Sequence, residues 1–212
     1  GAKTTGTVTV TNAVAISGNT SESTAALVTS GSLVEVSDAT VTLSDTPSIS
    51  ALNAIAAKTT GVVTATLAAD SLSNLGSLTT AGTDAITITV NDADAASVTA
   101  ANLSTLGGKT SGTVTVTNAV AISGSRAEAT AALVTTATLV EVSDATVTIN
   151  DADGVALNAT DLSAIGAKTT GTVTVTNAVA ITGSRAEATA ALVTTGSLVE
   201  VSDAAVTIND AD

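Results

Sequence analysis

Three clusters of the form Asn-Asp-Ala-Asp, at residues 91–94, 150–153 and 209–212, carry the densest chemistry in this chain. Oxygen donors at alternate positions are the ligand type that calcium takes. Asp92, Asp94, Asp151, Asp153, Asp210 and Asp212 are therefore the candidate metal ligands, with calcium as the ion. The spacing does not match an EF-hand loop. With Gly154 as the turn glycine, Ile149 falls at the first ligand position and Thr160 at the last. The plainer reading is a polar turn between a strand and a helix.

Threonines at alternate positions form a second pattern: Thr7/Thr9/Thr11, Thr113/Thr115/Thr117, Thr172/Thr174/Thr176 and Thr146/Thr148. Flat threonine arrays of this kind resemble the ice-binding faces of some antifreeze proteins. Against ice, Glu35, Glu141 and Glu200 are expected to stack among these threonines and break a regular lattice, and Thr is in any case a good strand residue. Covalent catalysis has little to work with. The chain has no His and no Cys, which removes most nucleophile–base pairs and the usual zinc, haem and iron–sulfur ligands. Paired carboxylates of the glycosidase type remain, but Glu22, Glu128 and Glu187 read as helix caps, and Glu35, Glu141 and Glu200 as outward strand residues. The expectation is a chain with no catalytic residue, not an enzyme, and without a resident cofactor unless calcium binds.

The composition points the same way. Of 212 residues, 44% are apolar, so a folded protein is expected, yet there is no Phe, Tyr, Trp or Met. An interior without aromatic rings must be thin and filled by Val, Ile, Leu and Ala, as in solenoids whose layers touch only their neighbours. The net charge is −13 with six basic residues, which argues against nucleic acid and anionic membrane surfaces as partners. No apolar run is long enough to span a membrane. The chain begins Gly-Ala-Lys and stops at Asp212, where other copies continue into a helix, so it reads as a piece of a longer array whose targeting signals lie elsewhere.

The elements that must position these residues come from a repeat. Lys-Thr-Thr/Ser-Gly recurs at Lys3, Lys58, Lys109 and Lys168, and Lys109–Asp153 returns nearly unchanged as Lys168–Asp212. The units are 1–57, a degenerate 58–107, 108–166 and 167–212, within a single solenoid. Each unit has two related halves. The first reads Gly-Thr-Val-Thr-Val-Thr-Asn-Ala-Val-Ala-Ile, at Gly6–Ile16, Gly112–Ile122 and Gly171–Ile181. The second reads Leu-Val-Glu-Val-Ser-Asp-Ala and then a short alternating run, at Leu33–Leu43, Leu139–Ile149 and Leu198–Ile208.

Val-x-Val is the period-two signal of a half-buried strand. Asn12, Asp38, Asn118, Asp144, Asn177 and Asp203 read as corners, where a left-handed backbone is tolerated. Helix starts follow. Ser184–Glu187 and Ser125–Glu128 are capping boxes, and Asn19–Glu22 is a variant. Ala188, Ala191 and Leu192 face inward, and an alternate helix from near Asn158 buries Leu162 and Ile165, as Leu103/Leu106 and Leu52/Ile55 do elsewhere. Lys168 is expected in a last helical turn, with Gly171, like Gly6, Gly61 and Gly112, as a stop. Between Gly61 and Asp94 the pattern relaxes: a short helix at Leu72 and Leu75 replaces a second strand, and Ala85–Val90 restores the alternation. The fold class is thus an α/β solenoid: a right-handed triangular prism, each rung two short parallel-stacked strands and one short helix, with about eight rungs at 4.8 Å spacing.

The Val-Thr-Val-Thr-Asn-Ala and Val-Glu-Val-Ser-Asp-Ala units, without aromatics, resemble the repeats of giant cell-surface proteins of cyanobacteria, including the large protein associated with swimming in marine Synechococcus. They also resemble the αβ-prism type of solenoid. The resemblance covers the chain apart from the degenerate segment. It implies a non-catalytic structural segment of a large secreted or surface protein, concerned with surface layers, adhesion or motility. The implied partners are neighbouring repeats of the same parent, with end-to-end self-association open. The alternative is a ligand-binding solenoid, for calcium at the Asp-rich turns or ice at the threonine faces.

Overall fold

A computed structural model describes residues 1–210. Short parallel strands and short helices alternate throughout, in several parallel sheets. The described residues fall into two compact units: Gly1–Val90 with Leu106–Val114, and Asn91–Thr105 with the chain from Thr115 onward.

The first unit contains β1 (Val8–Val10), β2 (Ala15–Gly18), α1 (Thr20–Leu27), β3 (Val34–Val36), β4 (Thr40–Leu43), α2 (Ile49–Ala56), β5 (Val63–Thr66), α3 (Leu72–Leu75) and β6 (Ala85–Val90). β1 pairs with β3, and a second sheet runs β2-β4-β5-β6. Val-x-Val puts one side chain in two inward. Val41, Val63 and Ile86 are each fully buried, as are Leu52, Ile55 and Leu75 from the helices. As the sequence predicts, only β5 lies between α2 and α3, and β6 covers Ala85–Val90.

α4 (Ala100–Gly107) and β8 (Val114–Val116) each have residues in both units. The second unit contains β7 (Ser97–Thr99), β9 (Ala121–Gly124), α5 (Arg126–Leu133), a 3-10 turn at Thr136–Thr138, β10 (Thr146–Ile149), β11 (Ala156–Asn158), α6 (Ala159–Gly166), β12 (Val173–Val175), β13 (Ala180–Gly183), α7 (Arg185–Leu192), β14 (Val199–Val201) and β15 (Ala205–Ile208). One sheet has the order β14-β12-β10-β9-β7 and another β11-β13-β15. Helices of eight residues would not persist alone, so each relies on the apolar stripe it lays on the strands: Ala129, Ala132 and Leu133 in α5, Leu162 and Ile165 in α6.

Four expectations change. β7 and β11 are extra short strands, placed after the Asn-Asp-Ala-Asp clusters where only a turn was expected. They let a strand change neighbours. β10, the second strand of its half, pairs on one side with β9, also a second strand, as expected, but on the other with β12, a first strand, while β11 takes β13. The corners do not use left-handed backbone. Among the described residues, positive φ occurs only at Ala95 (59°) and Gly154 (76°), the matching positions just after two of the clusters. Lys168 lies past the helix, whose C-cap is Ala167. Finally, Gly61, Gly112 and Gly171 are there for close approach rather than as stops: a Cβ at Gly171 would overlap the Ala145 and Asp144 carbonyl oxygens just before β10.

Candidate functional site

The Asp-rich turns hold the candidate calcium ligands, and in the structure their carboxylates accept from backbone N–H groups. The Asp151 carboxylate accepts from the Arg126 N–H at 2.6 Å, capping α5 from the turn that follows β10. Asp210 does the same for Arg185 at the start of α7, at 3.1 and 3.2 Å. Asp153 accepts from Ala178 N–H and Asp94 from Ala119 N–H, both at 3.1 Å. The corner asparagines complete the junction: Asn177 donates its amide to Asp151 O and Asn118 to Asp92 O, each at 2.6 Å. Asp92 is likewise engaged. Asp212 lies outside the described residues.

These turns therefore present helix N-caps and corner anchors, with donors facing the carboxylates. Among the described residues no group of three or more acidic side chains converges on a point that could hold a metal ion. The nearest charged pairing is an ion pair between Arg126 and Asp161, at 2.5 Å, which ties α5 to α6.

Sequence reasoning missed Asp45. It accepts from both the N–H and the hydroxyl of Thr20, at 2.8 and 2.7 Å, so it caps α1 as Asp151 caps α5. The signal was present: Asp45 stands in the same place after its strand as Asp151 does after β10. The Thr20 hydroxyl, with its N–H, holds the Asp45 carboxyl below the usual carboxylate value. Glu187, in the α7 capping box, is lowered by the Ser184 N–H and then the Thr160 hydroxyl. Asp70 is lowered by the Asn74 amide and then the Ser71 N–H.

Also missed was the work done by Lys-Thr-Thr-Gly. Thr169 donates its hydroxyl to Ala145 O at 2.6 Å and accepts from Gly171 N–H at 3.0 Å, while Thr170 donates to Ser143 O at 3.0 Å. Thr59 and Thr60 repeat the pattern on Ala39 and Ser37. At Lys168 the motif staples its own segment to one 24 to 27 residues earlier. In the degenerate segment, buried Asp84 has a related task, accepting from Val63 N–H at 2.8 Å and Ala81 N–H at 2.9 Å.

The threonine rows behave as expected from register. Thr9 stands beside Glu35, Thr174 beside Glu200 and Thr115 beside Glu141, so carboxylates interrupt three of the four rows, whereas Thr148 lies between Ser123 and Thr174. A groove of about 450 Å³ beside α2 and α3 is lined by Pro47, Ser48, Leu67, Asp70, Asn74 and Ser77, among others. Its one carboxylate, Asp70, is occupied by Ser71 and Asn74, so the groove offers no acid–base pair. No helix among the described residues is long and apolar enough to cross a membrane. Compared with family models, curated proteins and solved structures, the chain matches none.

Proposed function

We propose that this chain is a non-catalytic structural segment of a large secreted or cell-surface repeat protein, serving surface-layer, adhesive or motility functions by holding length and stiffness. In this reading the rungs stack as a right-handed α/β prism solenoid, and the partners are neighbouring repeats of the same parent. The observation that carries it is the fate of the polar side chains. Many of the carboxylates, amides and hydroxyls that recur in the units are engaged in bonds between segments about one half-unit apart, as at Asp151–Arg126, Asn177–Asp151 and Thr169–Ala145. A residue that recurs at every rung and is already bonded there supports the stack. The acidic surface keeps such a body soluble.

The test is location on intact producing cells. An antibody raised against this chain should label unbroken cells, and the label should be lost after brief protease treatment of the cell exterior. Labelling that requires lysis, and that external protease leaves untouched, would overturn the reading.

A further inference from the structure

The repeat contains two surfaces that match but do not meet. β10 is covered on one edge by β12, with Val147 beside Val173, Thr148 beside Thr174 and Ile149 beside Val175. β15 is the counterpart of β10 in the next copy, and it ends its sheet, with only β13 beside it. Val147 and Ile149 are 1% and 0% exposed, whereas Val206 and Ile208 are 45% and 48% exposed. The strand that would cover β15 is already in the chain: Gly1–Ile16 is identical, residue for residue, to Gly166–Ile181. β1, the counterpart of β12, pairs with β3 alone and leaves its other edge open, whereas β12 has a neighbour on each side.

Gly6 carries an independent sign of the same contact. A Cβ at Gly171 would overlap the Ala145 and Asp144 carbonyls, so glycine is required there. A Cβ at Gly6 would meet only the Thr4 hydroxyl, at 3.6 Å. Within one copy nothing crosses Gly6, yet the residue and its staple are built for a crossing. Thr4 already accepts from Gly6 N–H at 3.1 Å, as Thr169 does from Gly171.

The geometry points to head-to-tail association of a second copy of this chain, β1 of one molecule adding in parallel to the free edge of β15 of another. The contact reproduces the β10–β12 junction, so this inference rests on the rung-stacking reading above. Val206 then sits beside Val8, Thr207 beside Thr9 and Ile208 beside Val10. Thr4 donates to Ala204 O, Thr5 to Ser202 O, and Asn12 to Asp210 O, matching Thr169, Thr170 and Asn177 in the internal junction. Because the two surfaces differ, association is heterologous and does not stop at a dimer unless the rotation closes a ring.

Sedimentation velocity on the whole chain tests this. Wild type should gain mass with concentration, past twice the protomer. Val206→Lys/Ile208→Lys blocks the C-terminal edge at sites that are exposed in the single copy. Gly6→Ala blocks the N-terminal edge, where a methyl group has room in the single copy. Each variant alone should be monomeric with an unchanged far-UV circular dichroism spectrum, and an equimolar mixture should form a one-to-one dimer and nothing larger. A wild type that stays monomeric while melting cooperatively would overturn head-to-tail association and leave the stacked fold standing. Association that survives both sets of substitutions would show that another surface is responsible. A wild type with no cooperative melt would instead count against the stacked fold itself.

Discussion

Ala95 is a residue in the wrong place by its own chemistry. At φ 59° its Cβ crowds the backbone, and the matching position in the next unit is Gly154, at φ 76°. Both N–H groups donate onward, Ala95 to Ala119 O and Gly154 to Ala178 O, so the turn cannot relax without losing a bond between rungs. Ala95→Gly should raise stability by about 1 kcal/mol and Gly154→Ala should lower it by about the same, read from urea unfolding. A Cβ at Gly154 would touch nothing, which isolates the backbone effect. Acid acts at the same scale. The Asp45 and Glu187 carboxyls are lowered by hydrogen bonds that exist only in the folded chain, so their contribution is present above the unfolded carboxylate value and lost as pH falls through the lowered folded value. NMR titration should find both midpoints below those of model carboxylates. Asp45→Asn should shrink the acid loss of helicity in α1.

The staples and caps act between elements. Asp84 is buried, and its two oxygens serve Val63 and Ala81. Asp84→Ala would leave both N–H groups without that acceptor, at an expected cost of about 2–3 kcal/mol, with faster amide exchange at Val63 and Ala81. Unchanged exchange at both would show that other acceptors replace it. At this scale much was legible in the sequence. Capping boxes at Asn19, Ser125 and Ser184 have the expected reciprocal bonds, because a cap is decided by residues three apart. First-half and second-half strands pair as their shared grammar suggests, Val8 with Val34 and Val173 with Val199. The extra strands β7 and β11 were not legible. Ala156–Asn158 has one buried residue, Leu157, and three residues are too few to show a period. Glycine at position 171 was seen but misread, since a close approach from a residue far away in sequence leaves no local mark. The Asp-rich segments at 91–94 and 150–153 read as polar turns before a helix, but each leads into a short strand, and their partners, 25 residues away, could not be read from local spacing.

For the whole molecule, the absence of aromatic rings leaves a core of aliphatic side chains, which offer an unpaired charge no hydrogen-bond partner. Val175 is 1% exposed between strands on both sides. Val175→Asp should cost more than about 4 kcal/mol and remove several rungs together, seen as a lost or strongly lowered thermal transition. A melt like that of wild type would refute its inward placement. The net charge of −13 sets a second expectation. Like charges along the repeats repel, so added salt should raise the melting temperature, most steeply below about 0.15 M, where screening changes fastest.

The change of neighbours at β10 has a consequence for how such a sequence can diverge. In a stack where first strands meet only first strands and second strands only second strands, the two strands of a half are free to drift apart, each keeping its own complement. Here β10 lies against a second strand of one half and a first strand of the next unit. A side chain that suits one neighbour and offends the other is lost from both lineages. The two strands are thereby bound to a common vocabulary, and the apolar alternation survives in each because neither strand has a private partner with which to change it.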